Sequence, residues 1–186
     1  MSIEEAIRNM LIEIGEDPER QGLKNTPERI SKMYGELTSG YNISPEDVIN
    51  DAIFDEKYDE MVVVKDVEFY SLCEHHMLPF FGKCHVAYVP KGKIIGLSKI
   101  PRIIEVYSRR LQVQERMTVN IADFLNKALK PHGVAVVAEA YHLCMAMRGV
   151  RKARANMLTS SMYGVFKKDE RTRVEFLSLI GHNNLS

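Results

Sequence analysis

The sequence predicts an α+β domain, an antiparallel sheet with helices on one face, preceded by an N-terminal helical arm. Three observations carry this reading. Segments of strand length and strand composition come in two pairs, 61–72 with 83–89 and 134–144 with 156–166. Two segments of helical period separate the pairs, and the residues before 61 carry helix signals.

The elements follow in order. Ser2-Ile3-Glu4-Glu5 has the spacing of a capping box, and Ile3, Ile7, Met10, Leu11 and Ile14 form one helical stripe that stops at Gly15. Residues 17–25 are turn-rich. Thr26 is then expected to cap, and Pro27 to start, a second helix with the stripe Ile30, Met33, Tyr34 and Leu37. Ser44-Pro45-Glu46-Asp47 opens a short third helix. The chain turns acidic and irregular at 55–60, which sets the expected division: 1–60 as arm, 61–186 as main domain. In that domain 61–72 and 83–89 read as a hairpin around a wide loop. After Pro90-Lys91-Gly92 and a short Ile94-Ile95 extension, a helix is marked by Ile100, Ile103, Ile104 and Tyr107. A longer one carries Met117, Ile121, Phe124, Leu125, Ala128 and Leu129 on one face and is stopped by Pro131 and Gly133. The second strand pair and a last helix at 169–180 close the chain.

Composition narrows the function classes. With 186 residues, 45% of them hydrophobic, the chain can bury a core. Twenty-five basic and 25 acidic side chains cancel, so no overall field favours a nucleic acid or a membrane surface, and an anion site must be built locally. The longest apolar runs, such as 134–138, fall far short of the roughly 20 residues of a membrane span. The start reads as an acidic amphipathic helix rather than a signal peptide, and three cysteines cannot all pair. A cytoplasmic protein with reduced thiols is expected.

The chemistry centres on residues 71–82, S-L-C-E-H-H-M-L-P-F-F-G. Cys73 and His76 stand at C-x-x-H spacing, and thiolate with imidazole suits zinc. Tyr141-His142-Leu143-Cys144 alternates like a strand, which would put His142 and Cys144 on one face, roughly 7 Å apart. Cys73, His76 and Cys144 make three protein ligands with one position open to water, the pattern of catalytic zinc. A structural zinc would need a fourth ligand, and of the adjacent Cys84 and His85 at most one could join. Cys84 reads as strand packing and His85 as solvent-facing. His75 and His142 can be proton carriers or can orient ligands. Glu115, opening the long helix, either complements the positive helix end or serves a ligand. Gly96-Leu97-Ser98-Lys99 leads into a helix with Arg102 on the face of Lys99, a local phosphate site, whereas Arg109 and Arg110 read as a solvated basic face. Arg148 follows Cys144 by four residues, close enough for a phosphate near the metal. No P-loop is present.

Taken together and in order, C-E-H-H, G-L-S-K-x-x-R, Q-V-Q-E-R, H-x-C-x-x-x-R-G, T-S-x-x-x-G-V-F and T-R-x-E-F-L closely resemble GTP cyclohydrolase I, over about 61–180. The resemblance implies a tunnelling fold whose subunits join their sheets into a barrel, a homodecamer of two face-to-face pentamers, and active sites shared between neighbours. It implies GTP as substrate, with formate and 7,8-dihydroneopterin triphosphate as products. It implies zinc, one per subunit, on Cys73, His76 and Cys144, with His75 and His142 as catalytic histidines. Gln114 and Glu115 resemble the family's guanine readers, and Ser98, Lys99, Arg102 and Arg148 its triphosphate grip. Arg29 matches an arginine supplied by an adjacent subunit. Two rival readings stand beside this one: a related tunnelling-fold nitrile reductase acting on a deazapurine with a cysteine nucleophile and nicotinamide, and a non-enzymatic zinc-stapled binding module.

Overall fold

The structure, a computed structural model, describes residues 1–181. Its contacts divide the chain into two compact units, Met1–Ser39 and Gly40–Ser186. In the first, helix α1 (Ile3–Glu13) begins on the expected capping box, with Ser2 Oγ accepting the Glu5 N–H and the Glu5 carboxylate accepting the Ser2 N–H. It gives way to Gly15 at φ +90°, a conformation glycine adopts without a Cβ clash. Helix α2 (Thr26–Leu37) begins one residue before the expected start. Asn25 is the N-cap, because its carbonyl already accepts the Arg29 N–H at 3.1 Å, and Pro27 sits in the first turn.

The second unit takes in residues 40–60 as well as the expected domain, so the contact boundary falls well before the acidic stretch. Helix α3 (Pro45–Ile49) places Ile49 in the main core, and strand β1 (Ile53–Asp55), unexpected in a segment read as irregular, pairs antiparallel with β4 (Lys93–Ile95). No local pattern marks so short a strand; its partner lies some way along the chain.

The main sheet has the order β5-β2-β3-β6-β7, built from β2 (Val62–Cys73), β3 (Pro79–Val89), β5 (Leu111–Gln112), β6 (Gly133–His142) and β7 (Asn156–Gly164). All neighbours are antiparallel except β5 and β2. One irregularity decides what faces the core. The register runs Val64↔Val86 and then Val67↔Cys84, so β2 carries one extra residue at a bulge. Because side chains alternate, one added residue flips the parity: Val62 and Val64 before the bulge share a face with Phe69, Ser71 and Cys73 after it. Asp66 takes the strained position at φ 60°, and its N–H donates to His85 Nδ1 at 3.1 Å. His85 is buried, at 2% exposure, and not solvent-facing as the alternation suggested.

Helices α4 (Lys99–Ser108) and α5 (Gln114–Leu129) cover one face of the sheet as expected. Ile100, Ile103 and Ile104 from α4 and Met117, Ile121 and Leu125 from α5 pack with Phe69, Phe80, Cys84, Val86, Val136 and Ala138. Burying each large aliphatic chain contributes about 1.5–3 kcal/mol, so this face dominates the unit's stability. Helix α5 ends at Lys130 in the left-handed conformation, before Pro131. The fourth strand stops at Gly164, two residues short of its expected end, where φ is +59°. The short helix α7 (Val165–Lys168) and α8 (Glu170–Leu179) follow, and Phe166 and Phe176 pack with Ala87, Ala135 and Val137 on the opposite face. Among the described residues no helix is long and apolar enough to cross a membrane.

Candidate active site

Strand β2 runs out at Cys73 and the backbone folds into a tight turn rather than the wide loop expected. The Cys73 carbonyl accepts the N–H of Met77 at 2.7 Å and of His76 at 3.3 Å, and the Cys73 N–H donates to Leu78 O at 2.9 Å. This turn brings His75 Nδ1 to 3.9 Å and His76 Nδ1 to 4.0 Å from Cys73 Sγ. Its far side is held to β5 and α5: Glu74 N–H donates to Gln112 O of β5 at 3.0 Å, and Arg116 of α5 clasps the Glu74 carboxylate with two contacts of 2.5 and 3.1 Å. That guanidinium holds the Glu74 carboxyl below the usual carboxylate range. Arg116 lies inside the Q-V-Q-E-R motif, yet nothing in its spacing announced this partner.

The second half of the site departs from the strand reading. Strand β6 ends at His142, and Leu143–Ala146 turn into a short helix, α6, so Cys144 is on a helical turn and not two residues further along a strand. The outcome for the donors is as expected by another route. The ligand atoms of Cys73, His76 and Cys144 all lie within 4.8 Å of one another, and among the described residues this group has three members. Burial pushes the Cys144 thiol up, with the nearby Cys73 sulfur adding to it and Arg148 opposing. Two sulfurs and an imidazole suit zinc. Bond lengths of about 2.3 Å to sulfur and 2.0–2.1 Å to nitrogen place sulfur and nitrogen donors about 3.6 Å apart on a tetrahedral ion. Cys73 Sγ and His76 Nδ1 at 4.0 Å need only a few tenths of an ångström of closure. Cys84 is fully buried away from this group, its thiol pushed up to about 12, as strand packing requires.

His142, two residues before Cys144, is pinned on two sides. Its ring stacks on Phe80, its cross-strand partner, at 4.7 Å and 3°. Its Nε2 is 2.8 Å from Gln114 Oε1. Burial lowers its tendency to be charged, and the Glu115 carboxylate opposes that. Glu115 itself is exposed on the first turn of α5, while Gln114 is 1% exposed and its side-chain nitrogen lies against the Ala138 and Met157 carbonyls at 2.9 Å. Ser98 is the exposed N-cap of α4, with Lys99 half-buried and Arg102 exposed on the following turn. Arg148 is exposed just past α6, near enough to act on Cys144. Arg29 is exposed on α2, in the first unit. Phe80 is the contributor that sequence reasoning missed: a phenylalanine in a strand reads as core, and its stacking on His142 depends on the β3–β6 register.

Comparison with known proteins bears on this geometry. The family model for GTP cyclohydrolase I matches residues 3–181. A GTP cyclohydrolase 1 of Synechococcus sp. (strain JA-2-3B'a(2-13)) is 61% identical over 177 residues, 95% of this chain and 77% of that protein. One of Methylococcus capsulatus is 58% identical over 181 residues, 97% and 98% of the two chains. Among solved structures, an archaeosine synthase QueF-like protein in the apo form aligns with a TM-score of 0.48 and 18% identity, over 58% of this chain and 97% of its own.

Proposed function

The chain belongs to the GTP cyclohydrolase I family and is an enzyme of the hydrolase class, and from that premise we infer how its own residues divide the work. The substrate is GTP, and the reaction opens the imidazole ring of its guanine, releases formate and rearranges the remainder to 7,8-dihydroneopterin triphosphate. The observation that carries the reading is the Cys73, His76 and Cys144 donor group, with His142 two residues before Cys144 and held by Gln114. Zinc held there would lower the pKa of a bound water from about 15.7 to about 7, which eases its deprotonation by on the order of 12 kcal/mol at about 1.36 kcal/mol per pKa unit.

Most of the remaining work falls to side chains of the 61–186 domain, with 1–60 as an arm that supplies Arg29. His142 takes up the proton released as water hydrates carbon 8 and passes it to nitrogen 7, and His75, 64% exposed at the turn, assists proton transfer in the later ribose opening and rearrangement. Glu115 accepts hydrogen bonds from the ring N–H and amino group of guanine. A site satisfied by those donors rejects adenine, which leaves the carboxylate unpaired. Ser98, Lys99, Arg102 and Arg148 grip the triphosphate, the first three from the start of α4. Arg29 is offered to the site of a neighbouring subunit in a homodecamer of two pentamers, with sheets joined into the barrel of the tunnelling fold. The nitrile-reductase and binding-module readings are not favoured beside 61% identity to a named cyclohydrolase.

The direct test incubates the zinc-loaded protein with GTP and follows formate and pterin absorbance, alongside Cys144→Ala. Turnover by the parent, lost with the metal in the variant, is the expected outcome. Zinc bound at one per chain with GTP left intact would overturn the reading. Glu115→Ala should weaken guanosine binding more than inorganic triphosphate binding; the reverse order would withdraw the base-reading role.

A further inference from the structure

We propose that the Gln114 side chain is a positioning residue for His142: it fixes the imidazole as the tautomer with hydrogen on Nε2, and leaves Nδ1 as the nitrogen that faces the chemistry. The proposal rests on the cyclohydrolase reading for what His142 does, and on hydrogen-bond geometry alone for which nitrogen does it. Gln114 opens α5 yet points away from water into the seam where α5 meets the last two strands, at 1% exposure. One end of its amide is 2.9 Å from Ala138 O on β6, 2.9 Å from Met157 O on β7 and 3.1 Å from Thr159 Oγ1. Backbone carbonyls can only accept, so that end is the NH2 group; the opposite assignment would press an amide oxygen against two carbonyl oxygens in a dry seam.

The other end is then an oxygen, and it lies 2.8 Å from His142 Nε2. An amide oxygen only accepts, so Nε2 must carry the hydrogen. The surrounding hydroxyls close the account without a conflict. Thr118 Oγ1 donates to the Gln114 main-chain carbonyl at 2.8 Å, which leaves Thr159 to donate to Thr118 at 2.7 Å. Thr159 Oγ1 then has a lone pair free for Gln114. A flipped imidazole would set a ring C–H against the Gln114 oxygen, and the parallel stack on Phe80 holds the ring in one plane. Orientation and tautomer are thus both set from outside the reacting atoms, as outer partners set them for metal-bound histidines. This also removes the Gln114 side chain from the guanine-reading set, because both its donors are committed within the protein.

Magic-angle-spinning NMR of the zinc-loaded protein labelled in histidine tests the tautomer. The His142 ring is assigned through the His142–Leu143 pair, the one His-Leu sequence in the chain. The expected result is a protonated Nε2 and a bare Nδ1 in the neutral ring; hydrogen on Nδ1 overturns the proposal whatever the activity. Kinetics separate positioning from base reading. Gln114→Met, which keeps the volume and removes the acceptor, should lower kcat for formate release about 10- to 100-fold with KM for GTP nearly unchanged. Gln114→Glu, protonated in this seam, keeps an oxygen for Nε2–H and a hydroxyl donor for one strand carbonyl, and should recover most of kcat. A raised KM with intact kcat in Gln114→Met would return the side chain to the substrate and refute positioning. If that variant does not fold, the NMR result on the parent decides alone. A parent that released no formate would refute the cyclohydrolase reading while the tautomer stayed measurable.

Discussion

Gly82 on β3 is where the structure makes its sharpest demand on one residue, and Gly82→Ala tests it. A Cβ there would sit 1.9 Å from Glu139 O and 2.8 Å from Ala140 Cα, both backbone atoms of β6. Real Cβ atoms essentially never come within 3.0 Å of such neighbours, so the strands would have to part by at least 1.1 Å. No side chain can rotate away to absorb this. Overpacking in a core typically destabilises by about 1–3 kcal/mol, and a backbone-to-backbone clash belongs at the upper end. For a chain of this size each kcal/mol lowers Tm by about 2–4 °C, so a drop of about 6–12 °C is expected by scanning calorimetry. The same displacement acts two residues from the Phe80↔His142 pair, so the 2.8 Å contact to Gln114 should loosen and kcat fall beyond any loss of folded protein. Gly35→Ala is the control. It is exposed within α2 with nothing within 4 Å of its Cβ, and the change should stabilise by about 0.5–1 kcal/mol. Gly82→Ala melting within about 2 °C of the parent would refute the strand-contact argument.

Two further outcomes follow from burial and charge. Cys84, fully buried with its thiol pushed up to about 12, should resist maleimide in the folded, metal-stripped protein while Cys144 reacts, and Cys84→Ala should keep its zinc. Labelling of Cys84 before unfolding, read by mass spectrometry, would contradict this. At the bulge, the hydrogen bond from Lys83 holds the Asp66 carboxyl below its ordinary value of 3.8. A lowered folded value means the stabilisation is present above 3.8 and is lost as pH falls through the lower, folded value. Asn tolerates the positive φ, so the Tm gap between the parent and Asp66→Asn should close on acidification; a gap independent of pH would refute the assignment.

What could be read along the chain was what neighbouring residues decide among themselves. The capping box at Ser2, the stripes of α4 and α5 and the C-x-x-H pair are set by steric period and reach within a few residues, and they stand in the structure where the pattern put them. The donor types of the metal group were legible for the same reason: thiolate and imidazole carry their chemistry wherever they sit. Register was not legible. The one-residue bulge at Asp66 inverts the parity of β2 and turns Cys73 to the helix-covered face, its Asp66 N–H meets the buried His85 of β3, and no window of β2 contains those β3 partners. Cys144 reached the donor group from a helical turn because β6 ends at His142. Gln114 resembled a guanine reader, and only the docking of α5 against β6 and β7 gave both ends of its amide partners. The sequence by itself determined which chemistry this protein can hold. The tertiary structure decided which atoms face it, because alternation along a strand leaves a side chain two possible faces and pairing with distant strands selects one.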